Sequence, residues 1–364
     1  MQEFRALAKA TGYVLTAPTV MRHLGLGRPA TEDEIKLVRW GIKRSDSAYM
    51  LVDGSLERRD FSLGNVAPLF ASDFQAIANL KELAKFCSYR AVVAAHDGEP
   101  ATCERSLRVM FRMVGQLSEG GSSLRQIVAL ALSSMANATV QAVLVESRLD
   151  PTYLSLCERV YSEAPESMDL AAAIKYDAAV AYAEMTMSQA EARDYIVKSF
   201  SRGLEVSALV DAAFPRPKAQ KVSQTEQRKL DAMIARNLDL YTRAYRAVKA
   251  ARSTREQGNQ LLRIFPTAPA DDSTAPDFVQ LAVLIRRYEL MRQSYMAGIG
   301  LLSRIRWDFP EELNSDFKRL LPNGVTYLRT ATGFRLDAPP FDIRTTTAPK
   351  ADQMAFIYPK LKGR

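Results

Sequence analysis

The stretch LKELAKFCSYRAVVAAHDGEPATCERSLRVMF, residues 80–111, decides the fold because it holds two apolar stripes separated by one turn. The apolar side chains recur at the spacing of one helix face: Leu80, Ala84, Cys87, Ala91 and Ala94 in the first half, then Leu107, Met110 and Phe111 in the second, whose stripe continues beyond the stretch to Val114 and Leu117. Two short stripes joined in this way predict an antiparallel helix pair, which can bury its apolar faces only against neighbouring helices.

The residues between the stripes are His96-Asp97-Gly98-Glu99-Pro100. A histidine beside an aspartate suggests a catalytic or metal-binding dyad, but metal-dependent phosphohydrolases of the His-Asp type use several histidines. This chain has only one other, His23. Glycine supplies positive φ after a helix end, and proline presets the first turn of the next helix. We therefore predict a turn here and no catalytic site.

Helix-start signals recur outward from this pair, in phase with apolar stripes. They are Thr31 with Glu34, opening a helix that ends near Lys43; Ser123 with Gln126, opening a helix that carries the apolar residues Ile127, Val128, Ala131, Met135 and Ala138; Asp150 with Pro151; Ser188 with Glu191; and Ser223 with Glu226. Together they predict stacked antiparallel helix pairs, although no strict 34-residue repeat is present.

The second half begins after the Pro- and Lys-rich link FPRPKAQKVSQ. Two longer amphipathic helices flank the segment TAPADDSTAP and predict an antiparallel hairpin. Their apolar residues are Leu230, Ile234, Tyr241, Tyr245 and Val248, then Phe278, Leu281, Ile285, Tyr288, Tyr295, Ile299 and Leu302. FPEELNSDFKRLL then predicts a short helix with Pro310 in its first turn, VTYLRTATGFRLDA a β-hairpin, and the rest an extended tail.

The predicted fold class is therefore mostly α, with helical-repeat-like pairs followed by a long helical hairpin and a small C-terminal β-hairpin. We divide the chain into a helical or irregular segment at 1–71, a helical-repeat-like domain at 72–213, the hairpin with its basic first helix at 214–308, and a short helix, β-hairpin and tail at 309–364.

Composition limits the class of protein. Apolar residues make up 47% of the chain and charged residues 25%, as in ordinary globular proteins. No uninterrupted apolar run approaches the roughly 18 residues that a membrane helix needs, and the first 25 residues lack the apolar core of a signal peptide. Cys87, Cys103 and Cys157 lack metal-ligand spacing and predict no disulfide framework.

The net charge of +8 comes from a single segment, since residues 216–263 carry twelve Lys/Arg against four Asp/Glu. The cations recur on the polar side of the predicted basic helix and are the candidate binding surface: Arg228, Lys229, Arg236, Arg243, Arg246, Lys249, Arg252 and Arg255. Such a surface suits nucleic-acid phosphates or an anionic membrane surface. The alternative is a solvated face paired with acidic neighbours elsewhere in the fold.

No motif predicts a catalytic residue, a cofactor or a metal site. Gly25 and Gly27 lack the preceding strand and the third glycine of a dinucleotide-binding loop, so no small-molecule ligand is evident. The leading hypothesis is a non-enzymatic scaffold that presents a helical-repeat surface to a protein or peptide. The alternative is binding of an anionic polymer or a membrane surface through residues 216–263. A third is a hydrolase using carboxylates in a helical groove.

The sequence resembles a family of uncharacterised bacterial proteins that have tetratricopeptide-like helix pairs and a small pseudopilin-like C-terminal element. The likeness covers residues 40–200 and 280–337 and lies in LKELAKFCSYRAVVAAHDGEPATCERSLRVMFRMVGQLSEGGSSLRQIVALALSSMANATVQAVLVESRLDPTYLSL, Phe309-Pro310-Glu311-Glu312-Leu313, Tyr327-Leu328-Arg329 and Gly333-Phe334-Arg335-Leu336. Members are often membrane-anchored at the N-terminus, so the resemblance implies the cell envelope. It implies no chemistry and no site residues.

Overall fold

The described part of the chain is mostly helical and ends in a small sheet. The computed structural model describes residues 30–43, 70–118, 122–186, 224–265, 278–305, 309–330, 333–337 and 356–359. Its elements are α1 (32–43), α2 (Phe70–His96), α3 (Pro100–Ser118), α4 (Ser123–Glu146), α5 (Pro151–Ser162), α6 (Leu170–Thr186), α7 (Gln224–Ala250), α8 (Thr254–Ile264), α9 (Phe278–Ile305), α10 (Ser315–Lys318), β1 (Thr326–Thr330), β2 (Gly333–Asp337) and β3 (Phe356–Pro359). The mostly α fold class with a small C-terminal sheet is confirmed.

The first helix pair forms as the opening stretch predicts. His96 ends α2 and Pro100 begins α3. In the turn between them Gly98 has φ of +74°, and the Glu99 N–H donates to the Ala94 carbonyl at 2.8 Å. Every residue of the two predicted stripes is buried. The turn is therefore confirmed, and it exists because only glycine adopts that backbone conformation without strain.

The helices after this pair stack as the repeat-like pattern requires. α2 packs on α3 and α4, α3 on α4 and α5, and α4 on α6. Hydrogen bonds link helices of the stack: the hydroxyls of Ser88 and Thr139 lie 2.6 Å apart, and the Tyr153 hydroxyl donates to the Ala94 carbonyl at 3.3 Å. α2, α3 and α4 thus each contact the next helix and the next but one, as in stacked antiparallel pairs.

α4 is the central helix, and its predicted start and face are both corrected. Its N-cap is Ser122, which accepts from the Arg125 N–H, while the Gln126 amide donates to the Asp169 carbonyl instead of closing a capping box. The apolar residues named for it are not its buried face: Ile127 is 44% exposed and Ala131 is exposed. Since α4 contacts helices on several sides, its buried residues are leucines, valines and alanines together with polar residues such as Ser133, Asn137 and Thr139.

α4 is also the one helix of the described residues that is long and apolar enough to cross a membrane. The sequence predicted no such span because no apolar run is uninterrupted. In the fold, 61% of the most apolar window of α4 is buried against other helices. Core helices meet the same length and composition test, so this finding is weak evidence for a membrane span.

α9 lies across the helix pairs and completes the core. It packs on α4, α5 and α6, and 17 of its 28 residues are buried, including all seven of its predicted apolar stripe. The Tyr161 ring of α5 lies 5.0 Å from Phe111 of α3 and 5.8 Å from Tyr295 of α9, measured between ring centroids. The long helix and the stacked pairs therefore share one hydrophobic core.

The predicted hairpin contains a third helix. The basic helix, expected to run on toward residue 263, ends at Ala250, and α8 follows it and contacts both α7 and α9. The break is capped, because Ser253 accepts from the Glu256 N–H at 3.2 Å and the Glu256 carboxylate accepts from the Arg252 N–H at 2.8 Å. This Ser-x-x-Glu signal is visible in the sequence and was missed.

The C-terminal element contains the predicted hairpin of β1 and β2, with Thr326 opposite Asp337 and Thr330 opposite Gly333. β3, from the predicted extended tail, adds a third antiparallel strand to β2. The short helix is α10, whose N-cap Asn314 accepts from the Phe317 N–H; Pro310 is therefore not in its first turn, as the sequence predicted, but lies before it. The sheet joins the main core through buried side chains such as Phe334.

Other helix starts are confirmed where the structure describes them. Thr31 and Glu34 form a reciprocal capping box for α1, at 2.7 and 3.3 Å. Asp150 caps α5 by accepting from the Thr152 N–H at 2.8 Å, with Pro151 in the first turn. The predicted starts at Ser188 and Ser223 lie outside the described residues.

Candidate functional site

Most of the predicted cations share one exposed face of α7. We call the side chains of Arg228, Arg236, Arg243, Arg246 and Lys249 the cationic face; all five are exposed. The opposite stripe is Tyr241, Ala244 and Val248, which are 8%, 0% and 0% exposed. Spacings of three, seven and eight residues place the cations on one side of a helix, so burying the apolar stripe turns them toward solvent.

The structure separates the last two predicted cations from this helix. Arg252 is exposed in the turn after α7, and Arg255 is exposed in the first turn of α8. Arg255 also has an interaction of its own within the fold. The side chain of Lys229 lies outside the described residues. Since α7 rises about 1.5 Å per residue, the cationic face alone spans roughly 30 Å.

Few carboxylates oppose this charge. Arg243 pairs with Asp239 one turn away, at 3.1 Å between two exposed side chains. Lys249 lies 3.3 Å from the Tyr245 hydroxyl and 5.5 Å from its ring centre. Within the described residues, Arg236 and Arg246 make no ion pair. Because an exposed ion pair contributes little, the face keeps its positive charge.

Among the described side chains of α7, no large apolar group is exposed beside the cationic face. In the part of the chain that the structure describes, the exposed large hydrophobic side chains are Ile127 on α4 and Leu328 on β1, and neither is on α7. The apolar residues of α7 face α6 and α8 instead. Binding through this surface is therefore a matter of charge and hydrogen bonding.

His96 has a place in the structure that its sequence neighbours did not reveal. Its Nδ1 lies 2.6 Å from Glu146 at the end of α4, and its Nε2 lies 3.1 Å from Glu32 of α1. With both ring nitrogens held by carboxylates, the ring has no nitrogen left to take a proton from a substrate. Arg39 of α1 pairs with the neighbouring Asp97. His23, Gly25 and Gly27 lie outside the described residues.

The three cysteines, Cys87, Cys103 and Cys157, are buried. Burial raises the pKa of Cys103 to about 12 and the pKa of Cys157 well above its ordinary value. A thiol with so high a pKa holds almost no thiolate near neutral pH, so it is a poor nucleophile and a poor metal ligand. These cysteines act as small buried hydrophobes.

Two carboxylate regions bear on the hydrolase hypothesis. Asp177 of α6 is buried, which raises its pKa to about 6, and it accepts from the Ser123 N–H at the start of α4. That geometry makes it a helix-capping group. An open groove of about 590 Å³ lies beside β1 and includes Glu311, which pairs with Arg329 at 2.6 Å. The groove is lined by Glu312 as well as Glu311, so it holds two neighbouring carboxylates, one of them paired with an arginine. The hydrolase hypothesis stays a prediction.

Comparison of the chain with models of protein families, with curated proteins and with solved structures gave no match. The likeness to the bacterial family with tetratricopeptide-like pairs stays a prediction.

Proposed function

We propose that this protein is a non-enzymatic binding protein that uses the cationic face of α7 to bind the phosphates of a nucleic acid. One observation carries the proposal: exposed arginines, two of them without an ion pair in the described chain, line about 30 Å of one helix. Phosphate backbones attract such surfaces through charge and release of counterions.

The chemistry of the face favours nucleic acid over a lipid surface. Four of its five cations are arginines, whose guanidinium groups match phosphate oxygens in a bidentate geometry. Peripheral membrane helices add apolar side chains that enter the headgroup region, and α7 exposes none among its described side chains. Tyr245 beside Lys249 also offers a ring on which a base could stack.

A protein or peptide partner on the stacked helices is the second candidate. It is supported by Ile127 of α4, a large apolar side chain that is 44% exposed. However, α9 packs on both α4 and α5, so part of the surface of the stacked helices is already covered within the fold. For this reason the cationic face is the better-supported surface.

The test is a titration of labelled single- and double-stranded nucleic acid, and of anionic vesicles, at 50 and 200 mM salt. If three phosphates are contacted, the affinity for nucleic acid should fall about 40-fold between these salt concentrations. The triple variant Arg236→Glu, Arg243→Glu, Arg246→Glu should lose binding at both concentrations. Its stability should change by less than about 1 kcal/mol, because exposed substitutions cost little.

A double variant, Lys318→Glu with Arg319→Glu, is the control for net charge, since both side chains are exposed on or next to α10. It should retain most of the affinity. Unchanged binding by the triple variant would refute the proposal. Salt-dependent binding to vesicles without binding to nucleic acid would instead assign the face to a membrane surface.

A further inference from the structure

We propose that His96 is a proton-operated clasp: its imidazolium holds α1 against the corner of α2 and α4, and loss of its proton releases that hold. The three elements meet at one histidine, although the contacts join residues 50 and 64 positions apart in the chain. The clasp is independent of the cationic face.

The geometry requires the protonated ring. A neutral imidazole has one N–H donor, whereas an imidazolium has two. Both nitrogens of His96 face carboxylate oxygens, Glu146 at 2.6 Å and Glu32 at 3.1 Å. Since a carboxylate accepts but does not donate, only the doubly protonated ring satisfies both contacts. A neutral ring would leave one nitrogen lone pair facing a carboxylate.

The surrounding charges agree with this assignment. The hydrogen bond to Glu146 is the largest cause that raises the pKa of His96, Glu32 raises it further, and partial burial lowers it. Glu146 is itself 6% exposed, and its other oxygen accepts from the Ala30 N–H at 2.8 Å. Asp97, next to His96, is paired with Arg39 of α1. Arg148, the cation two residues after Glu146, is exposed to solvent.

The apolar contact beneath the clasp is small. Ile35 and Val38 of α1 pack on Val93 of α2 in a cluster separate from the main core. Ala30, Ile42 and Tyr89 pack against these three side chains, so this apolar contact stabilises the docked helix at every pH. The polar contacts of His96 add the part of the stabilisation that depends on pH. Glu146 of α4 is the largest cause of the raised pKa of His96, and Glu32 of α1 adds to it. Because the Glu32 contribution exists only when α1 is docked, the stabilisation it gives is present at low pH and is lost as pH rises through the raised pKa.

The chain supplies its own probes for a test. It contains two histidines and two tryptophans, so the full-length variant His23→Gln, Trp307→Phe leaves His96 and the half-buried Trp40 of α1 as single reporters. NMR of the ring protons follows the titration of His96 from pH 5.5 to 9. Fluorescence of Trp40 follows the docking of α1 over the same range.

We expect His96 to titrate above its ordinary pKa of 6.5 and Trp40 emission to change with the same midpoint. His96→Gln should abolish the emission change. Glu32→Gln should move both midpoints to lower pH; Glu32 is 66% exposed, so this variant should still fold. The matched control Asp33→Asn, whose carboxylate pairs with Lys36, should leave the midpoints in place.

A flat Trp40 signal across a pH range in which His96 titrates would overturn the clasp. So would a midpoint that Glu32→Gln fails to move. If His96→Gln does not fold, the comparison of Glu32→Gln with Asp33→Asn decides the question alone.

Discussion

α7 and α9 have almost the same length, 27 and 28 residues, and both carry several arginines, yet they play opposite parts in the fold. α9 is buried on several sides, and its arginines serve the interior: Arg286 pairs with Glu289 at 3.0 Å and Arg292 reaches the Tyr161 carbonyl at 3.4 Å. α7 buries one narrow stripe and turns its arginines to solvent.

The width of the apolar face of a helix, rather than its number of cations, determines whether its arginines pair inside the fold or stay exposed to solvent. A helix with apolar residues around most of its circumference is surrounded by partners, which then supply polar groups for its charges. On α9 the Tyr161 carbonyl accepts from Arg292, and the Ser167 and Thr254 hydroxyls donate to Glu289, which pairs with Arg286 of the same helix. On a one-sided helix the cations remain available for another molecule.

The largest expected effect comes from removing the aromatic contact between α5 and α9. Tyr161→Ala should lower the free energy of unfolding by about 3–5 kcal/mol, because the ring is 1% exposed and a cavity would remain between Phe111 and Tyr295. Urea unfolding followed by circular dichroism measures the loss. Tyr161→Phe is the control and should cost about 1–2 kcal/mol, since it removes only the hydrogen bond to Asn137. A loss below about 1 kcal/mol for the alanine variant would mean that α9 is held no more tightly than α7.

The next test compares a buried carboxylate with an exposed one. Asp177 has a pKa raised to about 6 by burial, so folding favours its protonated form and its ionisation destabilises the fold as pH rises from 4 to 6. The stability of Asp177→Asn relative to the wild type should therefore increase by about 1–3 kcal/mol between pH 4 and pH 7. Asp239→Asn on α7, where the carboxylate is 65% exposed, should change stability by less than about 0.5 kcal/mol. Urea denaturation of the wild type and of both variants at pH 4 and pH 7 measures these free energies of unfolding. If the difference between Asp177→Asn and the wild type is the same at both pH values, the prediction is wrong.

The smallest test compares two tyrosine hydroxyls. The Tyr288 hydroxyl of α9 donates to the Pro165 carbonyl at 2.5 Å in the interior, whereas the Tyr245 hydroxyl of α7 accepts from the exposed Lys249. Tyr288→Phe should cost about 1 kcal/mol because it leaves a buried carbonyl without its donor. Tyr245→Phe should cost less than about 0.5 kcal/mol. Equal losses in thermal unfolding would contradict the division between the two helices.

Sequence reasoning identified most helices because their stripes and caps are local. The stripes of α2, α3 and α9, the turn at Gly98 and the capping box of Thr31 and Glu34 are all as predicted. It failed on α4, where apolar residues occur on several sides and periodicity cannot tell which face meets which neighbour. It also extended the basic helix beyond its end at Ala250, although Ser253 and Glu256 form a recognisable helix-start signal in the sequence.

The candidate site divides in the same way. The sequence by itself determined that the excess charge lies in residues 216–263 and that its cations follow a helical period, because both are properties of neighbouring residues. Only the tertiary structure decided that α9 covers the helix pairs, that the cationic face of α7 stays exposed, and that His96 meets Glu32 and Glu146. Such contacts depend on how separate helices pack, and a pattern read along one chain carries no record of that packing.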